Sequence, residues 1–134
     1  MKLKFLLYIA IVLYVVALLL PAFNATATGK PYMKGYMALF LGWMGIMGGF
    51  YVFGAWFSNI LILLAFSLKT QMTGKVLVTL GFGLSFLSLF VKEILANEGG
   101  GKTAVVLGIG GYIWMLAIFC FALYVYLTPL RESV

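Results

Sequence analysis

From residue 36 to residue 68 the chain carries no charged side chain, and that run of 33 residues limits what it can fold into more than any other feature. As one straight helix it would be about 50 Å long, against a hydrocarbon core of about 30 Å. Something must break it. The glycines at Gly42, Gly45, Gly48 and Gly49 are the obvious place, because glycine is poor inside helices and permits sharp turns. The run therefore divides into a segment at about 36–48, too short to span and either interfacial or re-entrant, and a transmembrane helix at about 50–68. Trp43, Tyr51 and Trp56 then fall near one interface, where amphipathic rings prefer to sit.

Three further apolar runs flank it, at about 5–20, 76–95 and 104–127. Pro21 closes the first, Lys92 and Glu93 end the second, and Thr128-Pro129 stops the third. The basic start and Ala25-Thr26-Ala27 beyond the first run have the look of a secretory leader, but the run is longer than a usual leader core and reads as a retained helix. Hydrophobic residues make up 65% of the chain and charged ones 9%, where a soluble domain carries about 25% charged. The expected fold is all-α: a single domain over residues 1–134, a bundle of four transmembrane helices with the short segment before the second. Residues 24–34, 69–75 and 97–102 read as loops. Asn24-Ala25-Thr26 fits a glycosylation acceptor, but that tripeptide is common by chance and lies close to the membrane end of helix one.

Nine Lys or Arg stand against three Glu, with no Asp and no His. The cations sit singly or in pairs at the ends of apolar runs, where they reach lipid headgroups, so the partner expected is a bilayer and not nucleic acid. With the N-terminus inside, Lys2, Lys4, Lys69, Lys75 and Arg131 face the cytoplasm, and Lys30, Lys34, Lys92 and Lys102 face out. Both termini are thus expected in the cytoplasm.

Enzyme chemistry lacks its parts. Without His or Asp there is no Ser-His-Asp triad, no histidine metal site and no aspartate pair. The lone Cys120 excludes a CxxC centre and reads as a small apolar filler. Gly101-Lys102-Thr103 fails as a phosphate loop, because Ala96 stands where a glycine is needed. No catalytic residue, metal or cofactor is expected. Proton-coupled transport usually places a carboxylate at mid-membrane, and the Glu residues here lie at or beyond the ends of the runs.

Small and weakly polar residues mark helix contacts in lipid. Gly81, Ser85, Ser88 and Lys92 follow one another at spacings of four, three and four and share a helix face. Ala55, Ser58 or Asn59, Ile62 and Ala65 do likewise, Gly45 and Gly49 form a GxxxG, and Gly108, Gly110 and Gly111 open the last helix. These stripes are either helix contacts or the lining of a lipid or small-molecule pocket. Asn59 is the most informative residue: a primary amide in hydrocarbon needs partners, so it should face the bundle and bond to backbone or a hydroxyl. Lys92 and Glu93, at a helix end, read as snorkelling charges, with an ion pair or headgroup contact as the alternative.

Leu20-Pro21-Ala22, then Gly42-Trp43-x-Gly45, then Ala55-Trp56-x-x-Asn59 resembles small bacterial inner-membrane proteins of four helices with no assigned function. The resemblance covers residues 18–62. It implies a bacterial inner membrane and the four-helix plan, and carries no activity or catalytic residue. Gly42-Trp43 also echoes a motif of claudin-like tetraspan proteins, but the paired cysteines of that family are missing. The function expected is that of a non-enzymatic small subunit or scaffold, forming a homo-oligomer or docking on a larger envelope complex. The alternative is a membrane protein that binds or conducts lipid, quinone or another apolar ligand. In that reading Trp43, Asn59 and the Gly-rich segment line the pocket.

Overall fold

The computed structural model describes residues 3–96 and 99–130. Lys2, Arg131, Asn97, Glu98 and the tail at 131–134, on which parts of the loop and orientation expectations rest, lie outside the described residues. The chain is mostly helical. α1 (Leu3–Leu19) leads into β1 (Pro21–Ala25) and β2 (Pro31–Lys34). α2 (Gly35–Leu41), a 3-10 turn (Gly42–Met44) and α3 (Gly45–Gly48) follow. Then come α4 (Phe50–Ser67), α5 (Met72–Ser85) with a 3-10 extension (Phe86–Phe90), β3 (Glu93–Leu95), β4 (Lys102–Leu107) and α6 (Ile109–Leu127).

Among the described residues, three helices are long and apolar enough to cross a membrane: Phe50–Ser67, Met72–Phe90 and Ile109–Leu127. α1 is apolar but shorter, at 17 residues. The break in the charge-free run falls at Gly49, whose φ of 140° and ψ of 150° belong to a region that is essentially glycine's alone. The segment before it is itself helical, in two short pieces joined by the 3-10 turn.

The all-α expectation needs correction, because the loops build a four-stranded antiparallel sheet in the order β2-β1-β4-β3. Residues 93–95 are not the end of a helix, and residues 102–107 are not the start of one. The former run begins earlier, at Met72, and the last helix opens at Ile109. The reason is hydrogen bonding between segments distant in sequence. Phe23 pairs with Leu107, Asn24 with Val106 and Ala25 with Val105. β4 alternates, with Val105 and Leu107 buried and Val106 exposed, as a strand covering a core on one face must.

The pairing also sets the order of the helices. β1 leaves the end of α1 and β4 enters the start of α6, so β1–β4 pairing brings those two helix ends together. α1 therefore runs antiparallel to α6, against which it packs, while α4 packs on α5. Gly110 permits the approach: a Cβ there would stand 2.8 Å from the carbonyl oxygens of Leu20 and Pro21. Gly108 N–H donates to Ala22 O at 2.7 Å across the same junction.

The core has two centres. In the bundle, Leu6, Ile62, Ala65, Val78, Ile118 and Val125 are buried together. Under the sheet, Ala22, Phe23, Val91, Ile94, Val105 and Leu107 form a second cluster.

Candidate ligand cavity

Between the two centres lies a cavity of about 550 Å³, within the range of about 300–1,000 Å³ usual for small-molecule sites. Its roof is the inner face of the sheet, including Phe23, Ile94 and Leu107. Its side is the α2–α3 segment, through Ala38, Leu39, Met44 and Met47. Tyr14 of α1, Trp56 and Asn59 of α4, and Trp114 of α6 line it from the bundle. Small residues leave the space open: Ala17, Gly35, Gly42, Ala55 and Gly111 all stand on its wall.

Asn59 organises the polar part of that wall. Its Oδ1 accepts from Tyr14 OH at 2.8 Å and from Trp114 Nε1 at 3.0 Å, and its Nδ2 donates to Trp56 O at 3.0 Å. The amide thus joins α1, α4 and α6, with the backbone and hydroxyl partners its chemistry demands. Both lone pairs of the oxygen are used. Of the two N–H groups, one has no protein acceptor among the described residues.

Trp56 makes the second fixed contact. Its Nε1 donates to Leu39 O at 2.7 Å and so ties the α2–α3 segment to α4. Gly42 lies against the Trp56 ring, where a Cβ would meet Cδ1 at 2.5 Å.

The other residues singled out from the sequence are scattered. Gly45 lines the cavity, and a Cβ there would meet Phe53 N and Val52. Gly49 has nothing near its would-be Cβ, so this half of the GxxxG serves as a backbone bend and not as a contact. Gly81 lies against Leu61 and Ile62 as a helix contact. Ser58 is fully buried and donates to Ala55 O at 2.6 Å. Ser85 is equally buried and donates to Phe82 O, while Ser88, on the cavity wall, donates to Ser85 O at 2.7 Å. Trp43 is half exposed and does not line the cavity. Lys92 departs from the small-residue face altogether: it follows the 3-10 extension, is exposed, and its backbone oxygen accepts from Val105 N–H. Glu93 pairs across the strands with Lys102, at 3.7 Å, both side chains being half exposed. Such a pair contributes little stability.

Sequence reasoning missed Tyr14 and Trp114. Each is one more aromatic in an apolar helix, and what separates them from their neighbours is the amide they reach 45 and 55 residues away. Among the described residues no group of three His, Cys, Asp or Glu is placed to hold a metal. Asn24 Oδ1 is buried without a partner among the described residues, within the central strand β1. Comparison with protein-family models, curated proteins and solved structures finds no match.

Proposed function

We propose that this is a non-enzymatic, four-span protein of a bacterial inner membrane that holds an apolar, membrane-derived molecule in the cavity between bundle and sheet. The observation that carries the reading is the cavity itself: about 550 Å³, apolar over most of its wall, with a fixed polar group at Asn59. The cavity is partly open to the outside, so a molecule of fitting size can enter it and cover its apolar wall. The sequence composition, poor in charge and rich in apolar runs, makes the bilayer the nearest supply of such a molecule.

Four spans are favoured by α1 lying antiparallel along α6. Its 17 residues rise about 25 Å, close to the hydrocarbon thickness once Lys4 snorkels. The sheet then lies on the outer side, with both termini and residues 68–71 in the cytoplasm. Membrane-impermeant thiol labelling of Thr28→Cys and Gln71→Cys, in a Cys120→Ser background, tests this. Labelling of residue 28 alone in intact cells is expected; labelling of residue 71 alone reverses the orientation.

Native mass spectrometry after gentle extraction tests the ligand. The expected result is protein carrying an apolar adduct, lost on filling the cavity by Ala38→Phe while the protein remains folded. Retention of the adduct in that variant would place the molecule elsewhere.

A second reading, a subunit that assembles with itself or with a larger envelope complex, is favoured by the outer segment. Phe40 and Ile46 there, and Phe50 at the start of α4, are each at least 70% exposed, and a partner helix or the bilayer interface would cover them. A heteromeric or symmetric oligomeric mass without adduct would favour this reading over the first.

A further inference from the structure

We infer that the cavity selects a neutral molecule bearing one carbonyl-type acceptor, bound by the free N–H of Asn59. The inference rests on the reading of the cavity as a ligand site. It follows from a count of polar groups on the wall. Asn59 Oδ1 is saturated by Tyr14 and Trp114. Trp56 Nε1 is committed to Leu39 O, and the Ser88 hydroxyl to Ser85 O. The acidic side chain on the wall among the described residues, Glu93, already pairs with Lys102. Among the side chains of the described residues, what remains on the wall is a donor, the second N–H of the part-buried Asn59 amide, held in place by the three bonds of the same side chain. The hydroxyl of Tyr14 donates inward to Asn59 and adds no second free hydrogen.

Once an apolar occupant covers this donor, leaving it without a partner is costly, so an occupant that supplies an acceptor gains over one that does not. A charged head gains nothing, since among the described residues the wall holds no free counter-charge for it. Two kinds of membrane molecule share the required chemistry: a quinone, through a ring carbonyl, and an acyl ester, through its carbonyl next to an apolar chain.

The test uses displacement of 1-bromododecane, whose bromine quenches tryptophan fluorescence. Trp43 is replaced by Phe, so that the signal comes from Trp56 and Trp114 on the wall. The competitors are 2-tetradecanone, decylubiquinone, monolaurin, laurate and tetradecane. The carbonyl compounds are expected to compete about tenfold better than tetradecane, one hydrogen bond's worth, and laurate no better. The preference of decylubiquinone over monolaurin, or the reverse, names the source. Asn59→Asp keeps an oxygen for Tyr14 and Trp114 but has no second N–H, and should erase the tenfold preference. Infrared spectra of carbonyl-13C 2-tetradecanone give a readout independent of affinity: its bound band should be lowered in the Asn59 protein and unshifted in Asn59→Asp. Equal competition by ketone and tetradecane, or an unshifted band in the Asn59 protein, overturns the inference and leaves the cavity reading standing. Failure of 1-bromododecane itself to quench overturns the cavity reading instead.

Discussion

At Asn59 a single primary amide takes a hydroxyl from α1 and an indole N–H from α6, while giving an N–H to the backbone of its own helix. In a medium without water these bonds have no easy substitute. Replacing Asn59 by Leu strands the Tyr14 hydroxyl and the Trp114 indole, each at a cost of about 1–3 kcal/mol. Thermal unfolding in detergent should record a clear loss for Asn59→Leu and a smaller one for Asn59→Asp. An unchanged melting temperature for the leucine variant would refute the network. The other decisive residue is Gly49. Its φ of 140° is open to glycine and strained for any L side chain. Gly49→Ala meets no steric neighbour, so its expected cost of about 1–3 kcal/mol is purely backbone strain. The same measurement checks it, with Gly83→Ala as control, since Gly83 lies in α5 with open space around it and no unusual φ.

Among the elements, the α2–α3 segment forms one side of the cavity. Gly35 and Gly49 bound it, and the Trp56–Leu39 hydrogen bond crosses from it to α4. Its outer side presents Phe40, Trp43 and Ile46. Trp56→Phe keeps a ring against Gly42 and removes that bond. Amide hydrogen exchange in residues 35–48 should then quicken while α6 stays protected. Unchanged exchange in the segment would mean that packing alone holds it. At the opposite end of the bundle, Lys75 Nζ reaches Tyr126 O at 2.7 Å and caps the last turn of α6, where exposed helix carbonyls attract a cation.

For the whole molecule, β1–β4 pairing ties the loop after α1 to the loop before α6 and so closes the bundle. Asn24 and Val106 face each other across that pair, at a spacing of about 4.5–5.5 Å that suits a disulfide. In a Cys120→Ser background, Asn24→Cys with Val106→Cys should crosslink on mild oxidation, and the product should survive detergent extraction. Absence of the crosslink would argue against the sheet.

Much of the plan was legible in the sequence because it is local. Apolar runs of membrane length with lysines at their ends state where chain meets lipid, and a run too long to be one helix must break at its glycines, as it does at Gly49. The need of Asn59 for interior partners was legible for the same reason, since an amide in hydrocarbon has few alternatives. The sheet was not, although Thr103, Val105 and Val106 followed by Gly108 carried a faint strand signal. An apolar stretch beside a helical run reads as more helix until a partner strand, some 80 residues away, claims its hydrogen bonds. Tyr14, Trp114 and the cavity lay further out of reach. A cavity is space left where small residues from distant elements converge, and which glycines and alanines do so is decided when β1 meets β4 and draws the helix ends together.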